Sequence, residues 1–227
     1  MISQARSQEP RFPNVEFREG SAEEGTRFLP NGSVDCIVAG QAAHWFDQKK
    51  LWPEMLRVLR SKGTVAFWGY KDAVFVDYPR ASEMLQRYAY ELDPEMLGSY
   101  WPQPGRSYVQ DKLRVVRPPT EGGMAFEDVR RVEYEPGTKG RGSGEGTLFM
   151  EGEMKVEQFK GYVRTWSSYH GWKEAHPGQE ARAKGGKGDV VDEMFEKMAQ
   201  EEDKAFKDPE SPLRVEWGSA LIMARKK

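Results

Sequence analysis

Two groups of side chains in this sequence are of types suited to chemistry: a histidine beside a tryptophan, and an arginine among aromatic residues. His44 and Trp45 follow closely after a nearly continuous apolar run, Val34 to Ala39. Arg106 ends the aromatic segment that begins at Tyr100, and its guanidinium could bind a carboxylate through two parallel hydrogen bonds. A surface salt bridge explains Arg106 equally well, and an arbitrary His-Trp pair more often packs or caps than it reacts.

The other reactive or metal-binding residue types form weaker patterns. Cys36 is the single cysteine, which excludes an internal disulfide and a cysteine-based metal cluster, and its apolar neighbours predict a buried strand residue. The three histidines are scattered along the chain, and their spacing predicts no metal site. Residues 181–189 contain glycine and lysine without the spacing of a phosphate-binding loop, so we interpret them as a solvated loop.

The charge balance argues against two classes of partner. Lys and Arg number 34 and Asp and Glu number 36, so the net charge of -2 offers no electrostatic basis for binding nucleic acid or an anionic membrane. Apolar runs in the sequence are too short to cross a membrane, and the first ten residues lack the apolar core of a secretory signal. We therefore expect a cytoplasmic protein, and the aromatic content of 12% predicts a folded one.

The elements that would position His44 and Trp45 are strands joined by a helix. Alternation of apolar and polar residues predicts a short strand over 15–19. Apolar runs predict strands covered on both faces over 34–39 and 64–70. A helical stripe occupies 51–59, and Pro53 must lie in its first turn, so the helix is expected to begin near Leu51. Two strands joined by one helix form the βαβ unit of a parallel sheet.

The second half of the chain has a different pattern. Asp77 is predicted to cap a helix with Pro79 in its first turn and with Met84, Leu85, Tyr88 and Leu92 on one face. Residues 98–120 are predicted to be irregular, and the glycine-rich residues 136–147 to be a mobile linker. Strands are expected at 126–135 and 215–224, and helices at 153–170 and 189–206, the last capped by Asp189.

Several segments in order carry a resemblance to one family. They resemble the second half of a class I S-adenosylmethionine-dependent methyltransferase domain of the type 11 sort, and the stretch around His44 is similar to trans-aconitate methyltransferase-like enzymes. Later segments resemble the same branch, so the resemblance covers nearly the whole chain. The segments are Ser21-Ala-Glu-Glu24, Val34 to Phe46, Arg57-Val-Leu59, Gly63 to Tyr70, Tyr100 to Arg106, Tyr162 to Tyr169 and Val215 to Gly218.

The resemblance implies a role for each matching position. The implied cofactor is S-adenosylmethionine, and the implied substrate is a small carboxylic acid that is methylated on oxygen. Ligands of open parallel sheets bind at the carboxyl ends of the strands, where most of these residues lie. The implied cofactor-binding residues are Ser21, Ala22, Ala39, Gly40 and Gln41, the residues at the reacting centre are His44 and Trp45, and the substrate-binding residues are Tyr70, Arg106, Arg164 and Trp166.

The sequence departs from the family at its beginning. The family's glycine-rich cofactor loop and first two strands have no counterpart, so we expect a partial Rossmann-like α/β sheet with added helical and aromatic substrate-side elements. We expect one truncated domain over 1–227, made of a core portion (1–75), a substrate-side portion (76–212) and a last strand with its tail (213–227). Strand 34–39 would then have an exposed apolar edge, which the strand 15–19 or another chain would cover, so self-association is a predicted possibility.

Three functional interpretations remain open. The first is a truncated small-molecule O-methyltransferase of the trans-aconitate-like branch. The second is a non-catalytic remnant or partner-binding protein that keeps the substrate half of the domain. The third is an incomplete gene product without a stable fold. A glycine-rich loop supplied by another segment or polypeptide is the feature that would favour the first over the second.

Overall fold

A computed structural model describes residues 2–7, 12–122 and 125–227 of the chain. The chain forms two compact units, of which the first comprises Met1–Phe67, Val116–Arg130 and Ile222–Lys227, and the second comprises Trp68–Val115 and Arg131–Leu221. Among the residues described, no helix is long and apolar enough to cross a membrane.

Within the described residues, six strands supply the β structure. They are β1 (Val34–Gly40), β2 (Leu59–Phe75), β3 (Phe126–Glu135), β4 (Glu145–Gly146), β5 (Glu151–Lys155) and β6 (Pro212–Lys226). The order of hydrogen-bonded neighbours is β1-β2-β6-β3-β4, and β5 pairs with β6. The β5–β6 pair is antiparallel, with Glu151 opposite Glu216, and β3–β4 is antiparallel, with Tyr134 opposite Gly146. β1 therefore lies at one end of the order, as an edge strand.

Seven α-helices are interspersed with these strands in the described residues. They are α1 (Ile2–Arg6), α2 (Gln48–Val58), α3 (Pro79–Tyr90), α4 (Gly105–Gln110), α5 (Val156–Val163), α6 (Ser167–Ala175) and α7 (Val190–Glu201). α2 connects the neighbouring strands β1 and β2, as the helical stripe in the sequence predicts. The mixed α/β architecture and the open order of strands confirm the predicted fold class.

The core of the first unit packs α2 against strand residues. Leu51, Trp52 and Met55 are buried on one face of α2. The indole of Trp52 stacks on Phe67 at 5.6 Å and meets Phe126 edge-on at 5.5 Å between ring centroids. Paired aromatic rings in this range stabilise a core beyond the effect of their buried area, by about 0.5–1.5 kcal/mol.

The start of α2 differs from the expectation. The helix begins at Gln48 and not near Leu51, because Asp47 caps it: the Asp47 carboxylate accepts from the Lys49 N–H at 3.0 Å. The Asp47 carbonyl also accepts from the Leu51 N–H at 2.8 Å. Pro53 consequently lies inside the helix and not in its first turn.

Two strand expectations in the first unit are wrong. Residues 15–19 form no strand; Val15 and Phe17 are exposed, and the Phe17 carbonyl accepts from the Arg6 guanidinium at 2.7 Å. β1 is not covered on both faces, since Val38 is 73% exposed and no residue of the strand is fully buried. Cys36 is likewise exposed and not buried.

The core of the second unit is built from α3, α5 and α7 with the strands of that unit. Phe159 of α5 contacts Phe75 of β2, with ring centroids 4.8 Å apart, and Phe195 of α7 contacts Phe206 at 5.9 Å. Leu85 and Tyr88 of α3 are buried in this core as predicted, whereas Leu92 follows the helix and is 82% exposed.

Several boundaries in the second unit also differ from the expectations. Tyr78 precedes α3, and Asp77 does not cap it, because both Asp77 oxygens accept from Arg214 at 2.7 and 2.8 Å. The predicted helix 153–170 is two helices, α5 and α6, and His170 is exposed. Residues 98–120 include α4, and the glycine-rich residues 136–147 include β4. β3, β6 and the Asp189 cap of α7 are confirmed.

Candidate functional site

In the first unit, Arg57 holds the turn segment 21–31 against α2. Its guanidinium donates to the Thr26 and Leu29 carbonyls at 3.1 and 2.9 Å, and to the Asn31 side chain at 2.8 Å. The same group is paired with Glu54 at 2.7 Å. The hydrogen bond from Arg57 holds the pKa of Glu54 at about 2, below its ordinary value of 4.5. This ion pair fixes the turn that carries Ser21 and Ala22.

A cleft of about 520 Å³ lies beside this turn. Ser21 and Ala22 line it, together with the aromatic rings of Phe28 and Phe46. The guanidinium of Arg18, another lining residue, lies over the Phe28 ring, 3.8 Å from its centroid. The Ser21 hydroxyl accepts from the Glu24 N–H at 3.1 Å. The lining of the cleft therefore combines two aromatic side chains with polar groups.

The residues after β1 form a second group in the first unit. Gln41 has a left-handed backbone with φ of 50°, and a short 3-10 helix follows over Ala43–Trp45. The rings of His44 and Trp45 are 4.8 Å apart, and Trp45 is 59% exposed. Ala39 is half-buried and Gly40 is exposed.

One hydrogen bond ties the 21–31 turn to the segment after β1. The backbone N–H of Asp47 donates to Glu23 at 2.8 Å. Among the described residues, the cleft lining includes Ser21 and Ala22 but not the other three predicted cofactor residues, Ala39, Gly40 and Gln41. Sequence reasoning missed Arg18, Phe28 and Phe46 as lining residues, since the chain positions of single aromatic residues do not reveal which cavity they face.

In the second unit, Arg106 is part of a buried polar cluster with Asp72 and Tyr90. Its guanidinium donates through one terminal nitrogen to the Asp72 carboxylate and to the Tyr90 hydroxyl, and that hydroxyl donates to Asp72. Asp72 is 4% exposed. Burial, followed by the charge of Asp72, raises the pKa of Tyr90 well above its ordinary value. Arg106 thus has an internal carboxylate partner, which the sequence did not indicate.

Aromatic rings extend this cluster toward Trp166. The guanidinium carbon of Arg106 is 3.9 Å from the ring centroid of Trp101, and Trp101 is 5.5 Å from Trp166. Trp166 in turn meets Tyr162 edge-on at 5.8 Å. The structure therefore joins two of the four predicted substrate residues, Arg106 and Trp166, through Trp101. Tyr70 packs against the same hydrophobic core and has its ring 5.4 Å from Trp68.

Arg164, the fourth predicted substrate residue, is bound to two aspartates. Its guanidinium donates to both oxygens of Asp189 at 2.8 and 3.0 Å and lies 3.0 Å from an oxygen of Asp192. Burial alone would lower the pKa of Arg164, but these carboxylates raise it above its ordinary value. Tyr169 donates to Asp189 at 2.8 Å, and burial with this bond raises its pKa to about 12. The network ties the end of α5 to the start of α7.

Metal chemistry finds no support within the described ranges. They contain no group of three or more His, Cys, Asp or Glu side chains that could hold a metal ion. The two candidate sites are thus a cleft lined in part by aromatic residues in the first unit and, in the second unit, a largely buried guanidinium with aromatic neighbours.

Comparisons with known proteins relate the sequence to methyltransferases. A family model described as a methyltransferase domain matches residues 1–67. The Saccharomyces cerevisiae protein named probable S-adenosylmethionine-dependent methyltransferase CRG1 is 27% identical over 220 residues, covering 94% of this chain and 69% of the yeast protein. A proposed methyltransferase of Dictyostelium discoideum is 29% identical over 216 residues, covering 94% of this chain and 67% of its own length.

A solved structure adds the fold. A proposed type II methyltransferase from Anaeromyxobacter dehalogenans superimposes with a TM-score of 0.62 at 27% identity, over 95% of this chain and 73% of that one. These findings support a class I S-adenosylmethionine-dependent methyltransferase. The chain spans about two thirds of the length of these two relatives, 69% and 67%.

Proposed function

We propose that this methyltransferase binds S-adenosylmethionine at the cleft beside Ser21 and Ala22 and methylates an oxygen of a small carboxylic acid. The observation that carries the proposal is that two predicted cofactor residues line a cleft of about 520 Å³ together with two phenylalanines. A planar purine ring would contact these phenylalanines favourably, because aromatic rings attract one another in offset or edge-on arrangements.

The residues of the cleft fit the adenosine part of the cofactor. Phe28 and Phe46 would contact the ring, and the Ser21 hydroxyl would hydrogen bond at its edge. The same ligand would also contact three residues at or just after the end of β1, where open sheets bind their ligands: Ala39, Gly40 and Gln41. When bound, the cofactor supplies a methyl group on a positively charged sulfonium.

The remaining predicted residues would orient the acceptor. A carboxylate is already nucleophilic, so the protein needs alignment and charge placement more than a general base. Trp45 or Tyr70 would stabilise positive charge by cation–π contact, worth about 0.5–2 kcal/mol. His44 would orient a polar group at the reacting centre.

Arg106 is the residue we propose to bind the acceptor carboxylate. In the described part of the chain, its Nε is buried and has no hydrogen-bond partner, whereas one terminal nitrogen serves Asp72 and Tyr90. Buried donors are normally satisfied, so a donor of this kind points to a missing acceptor. Trp166, which is linked to Arg106 by Trp101, would form an apolar boundary of the acceptor site. Arg164 has its donors engaged by two aspartates and is the weaker candidate.

Calorimetric titration of the full chain with S-adenosylhomocysteine tests cofactor binding. We expect a dissociation constant in the micromolar range, about -8 kcal/mol at 1 μM. Phe28→Ala should weaken binding about twofold to tenfold, since a ring contact is worth about 0.5–1.5 kcal/mol. Phe12→Ala is the matched control, because Phe12 is also an exposed phenylalanine of the first unit but does not line the cleft.

Failure of the folded chain to bind would favour the second interpretation, a non-catalytic or partner-binding protein. If binding is found, transfer of a labelled methyl group to small mono-, di- and tricarboxylic acids tests the acceptor class. Arg106→Lys should raise KM for the active acid more than it lowers kcat, because lysine has no donor at the position of the arginine Nε. Arg87→Lys, at an exposed pair with Glu91, is the control and should leave KM unchanged. An unchanged KM in Arg106→Lys would contradict the assigned role.

A further inference from the structure

The phenol of Tyr162, on α5 in the second unit, accepts a hydrogen bond and keeps its own proton for another partner. The indole N–H of Trp217 donates to the Tyr162 oxygen at 3.2 Å. Because an indole can only donate, the phenol is the acceptor in this bond. Burial raises the pKa of Tyr162, so the phenol stays protonated at neutral pH and can donate its proton elsewhere.

A continuous series of aromatic contacts joins Tyr162 to Arg106. The Tyr162 ring meets Trp217 edge-on at 6.1 Å and Trp166 edge-on at 5.8 Å between centroids. Trp166 lies 5.5 Å from Trp101, whose ring carries the Arg106 guanidinium at 3.9 Å. Trp166 and Trp217 are only 8% and 6% exposed. The phenol and the guanidinium therefore belong to one largely dry aromatic surface of the second unit.

A second polar group lies beside Trp217 on β6. Ser219 follows Trp217 by two residues, so both side chains share one face of the strand, with Cα atoms about 6–7 Å apart. Gly218, between them, faces the other way, since a Cβ there would lie 2.5 Å from the Lys71 Cε. Ser219 is 1% exposed, and within the described part of the chain its hydroxyl has no hydrogen-bond partner. A buried hydroxyl in this state indicates a polar partner from outside the chain.

An alcohol hydroxyl suits Tyr162 and Ser219 better than a second carboxylate does. An alcohol oxygen can accept from the Tyr162 phenol while its proton is donated to Ser219, so both protein hydroxyls gain a partner. The Arg106 guanidinium already serves Asp72 and, in the proposed function, one acceptor carboxylate. A second carboxylate at Tyr162 would therefore enter aromatic surroundings without a cation of its own, which is costly.

We propose that Tyr162 and Ser219 bind a hydroxyl group of the methyl acceptor, so that the protein selects hydroxy monocarboxylic acids over dicarboxylic acids. The inference rests on the proposed function, because it adds a second contact to the acceptor whose carboxylate Arg106 binds. Tyr162 donates to the hydroxyl oxygen, and Ser219 accepts the hydroxyl proton. Trp217 positions Tyr162, because its N–H occupies the phenol oxygen and leaves the phenol proton for the acceptor.

Calorimetric titration of the full chain with hexanoate, 6-hydroxyhexanoate and hexanedioate tests the subsite. These probes have the same length and differ only in the group at one end. We expect 6-hydroxyhexanoate to bind about threefold or more tightly than hexanoate, because hexanoate leaves the Tyr162 and Ser219 hydroxyls unpaired. Hexanedioate should bind most weakly. Tighter binding of hexanedioate than of 6-hydroxyhexanoate would overturn the proposal.

Tyr162→Phe and Ser219→Ala separate the subsite from general packing. Each variant should lose most of the preference for 6-hydroxyhexanoate and keep the affinity for hexanoate, because each removes one hydroxyl. Tyr88→Phe, which removes a hydroxyl bonded to Glu193 at 3.1 Å, and Ser168→Ala, at another buried serine, are the matched controls and should retain the preference. Circular dichroism confirms that each variant is folded. An undiminished preference in both Tyr162→Phe and Ser219→Ala, or equal losses for both acids, would overturn the proposal.

The titrations also distinguish failure of the subsite from failure of the proposed function. S-adenosylhomocysteine reports on the cleft of the first unit, whereas the three acids report on the second unit. Acid binding with the expected preference in a chain that does not bind S-adenosylhomocysteine would contradict the proposed function and support the subsite. Arg106→Lys should weaken binding of hexanoate and 6-hydroxyhexanoate alike and keep the preference between them. A folded chain that binds none of the acids would overturn the subsite together with the role of Arg106.

Discussion

The guanidinium of Arg164 donates to both carboxylate oxygens of Asp189, at 2.8 and 3.0 Å, and connects the last turn of α5 with the N-terminal cap of α7. The same carboxylate accepts from the Asp192 N–H at 2.9 Å and from Tyr169 at 2.8 Å. Asp189 thus caps α7, forms an ion pair with Arg164 and accepts a hydrogen bond from the Tyr169 hydroxyl. This density of bonds makes Asp189 a structural centre of the second unit.

Asp189→Ala should lower the free energy of unfolding by about 2–5 kcal/mol, since it removes the cap of α7, worth about 0.5–2 kcal/mol, and the charge-assisted hydrogen bonds from Arg164, worth about 1.5–3 kcal/mol. Urea unfolding followed by circular dichroism measures the loss. Asp35→Ala, which breaks the exposed pair with Arg60, is the control and should change stability little. A similar loss in both variants would show that the Arg164–Asp189 network is not the cause.

Acid should destabilise the first unit partly through Glu54. Its pKa in the folded chain is about 2, below the ordinary 4.5, because Arg57 and Thr26 donate to the ionised carboxylate. Because its pKa is lowered by folding, ionised Glu54 stabilises the fold fully at pH values above its ordinary pKa. This stabilisation is lost as the pH falls from about 4.5 to about 2.

Glu54→Gln should therefore be less stable than the unmodified chain at neutral pH and should show a weaker decline of stability over this acidic range. Urea unfolding at a series of pH values measures how steeply the free energy of unfolding declines as the pH falls. The exposed Glu83→Gln is the control and should retain the full decline. An unaltered slope in Glu54→Gln would assign the acid sensitivity to other groups, such as Asp192, whose pKa is also about 2.

Arg106 and Asp72 should be strongly coupled in stability. Arg106→Met leaves the Asp72 carboxylate buried without its cation and should cost about 3–5 kcal/mol. The double variant Asp72→Asn with Arg106→Met should lose less than the two single variants together, because no isolated charge remains. A double-mutant cycle from urea unfolding measures the coupling, and additive losses would contradict it.

Two glycines should respond in opposite directions to alanine. Gly146 of β4 has φ of 96°, and a Cβ there would lie 2.1 Å from the Glu133 carbonyl oxygen, so Gly146→Ala should destabilise the chain. Gly161 of α5 has open space around its missing Cβ, so Gly161→Ala should stabilise it by about 0.5–1 kcal/mol. Thermal unfolding measures the change in melting temperature of each variant, and changes of the same sign in both would contradict the prediction.

The local patterns of the sequence predicted several elements well. Capping chemistry identified the start of α7 at Asp189, and the helical stripe identified α2 between two neighbouring strands. These signals are local, because a cap or a stripe depends on residues within a few positions of each other. The start of α2 was missed because the cap at Asp47 outweighed the constraint from Pro53.

The candidate site was less accessible to sequence reasoning. Arg106 was singled out for its charge, but its partners Asp72 and Tyr90 lie 34 and 16 residues away along the chain. A guanidinium looks the same in the sequence whether its carboxylate partner comes from a ligand or from the chain. The same holds for Arg164, whose partner Asp189 is 25 residues away.

The sequence by itself determined the class of fold, the resemblance to class I methyltransferases and the chemical character of the candidate residues, because these depend on residue types in order. Only the tertiary structure decided which charges neutralise each other, which aromatic residues wall the cleft, and that residues 15–19 form no strand. Those outcomes depend on partners distant in the chain: a strand needs a neighbour to pair its backbone, and a buried charge needs a counter-charge.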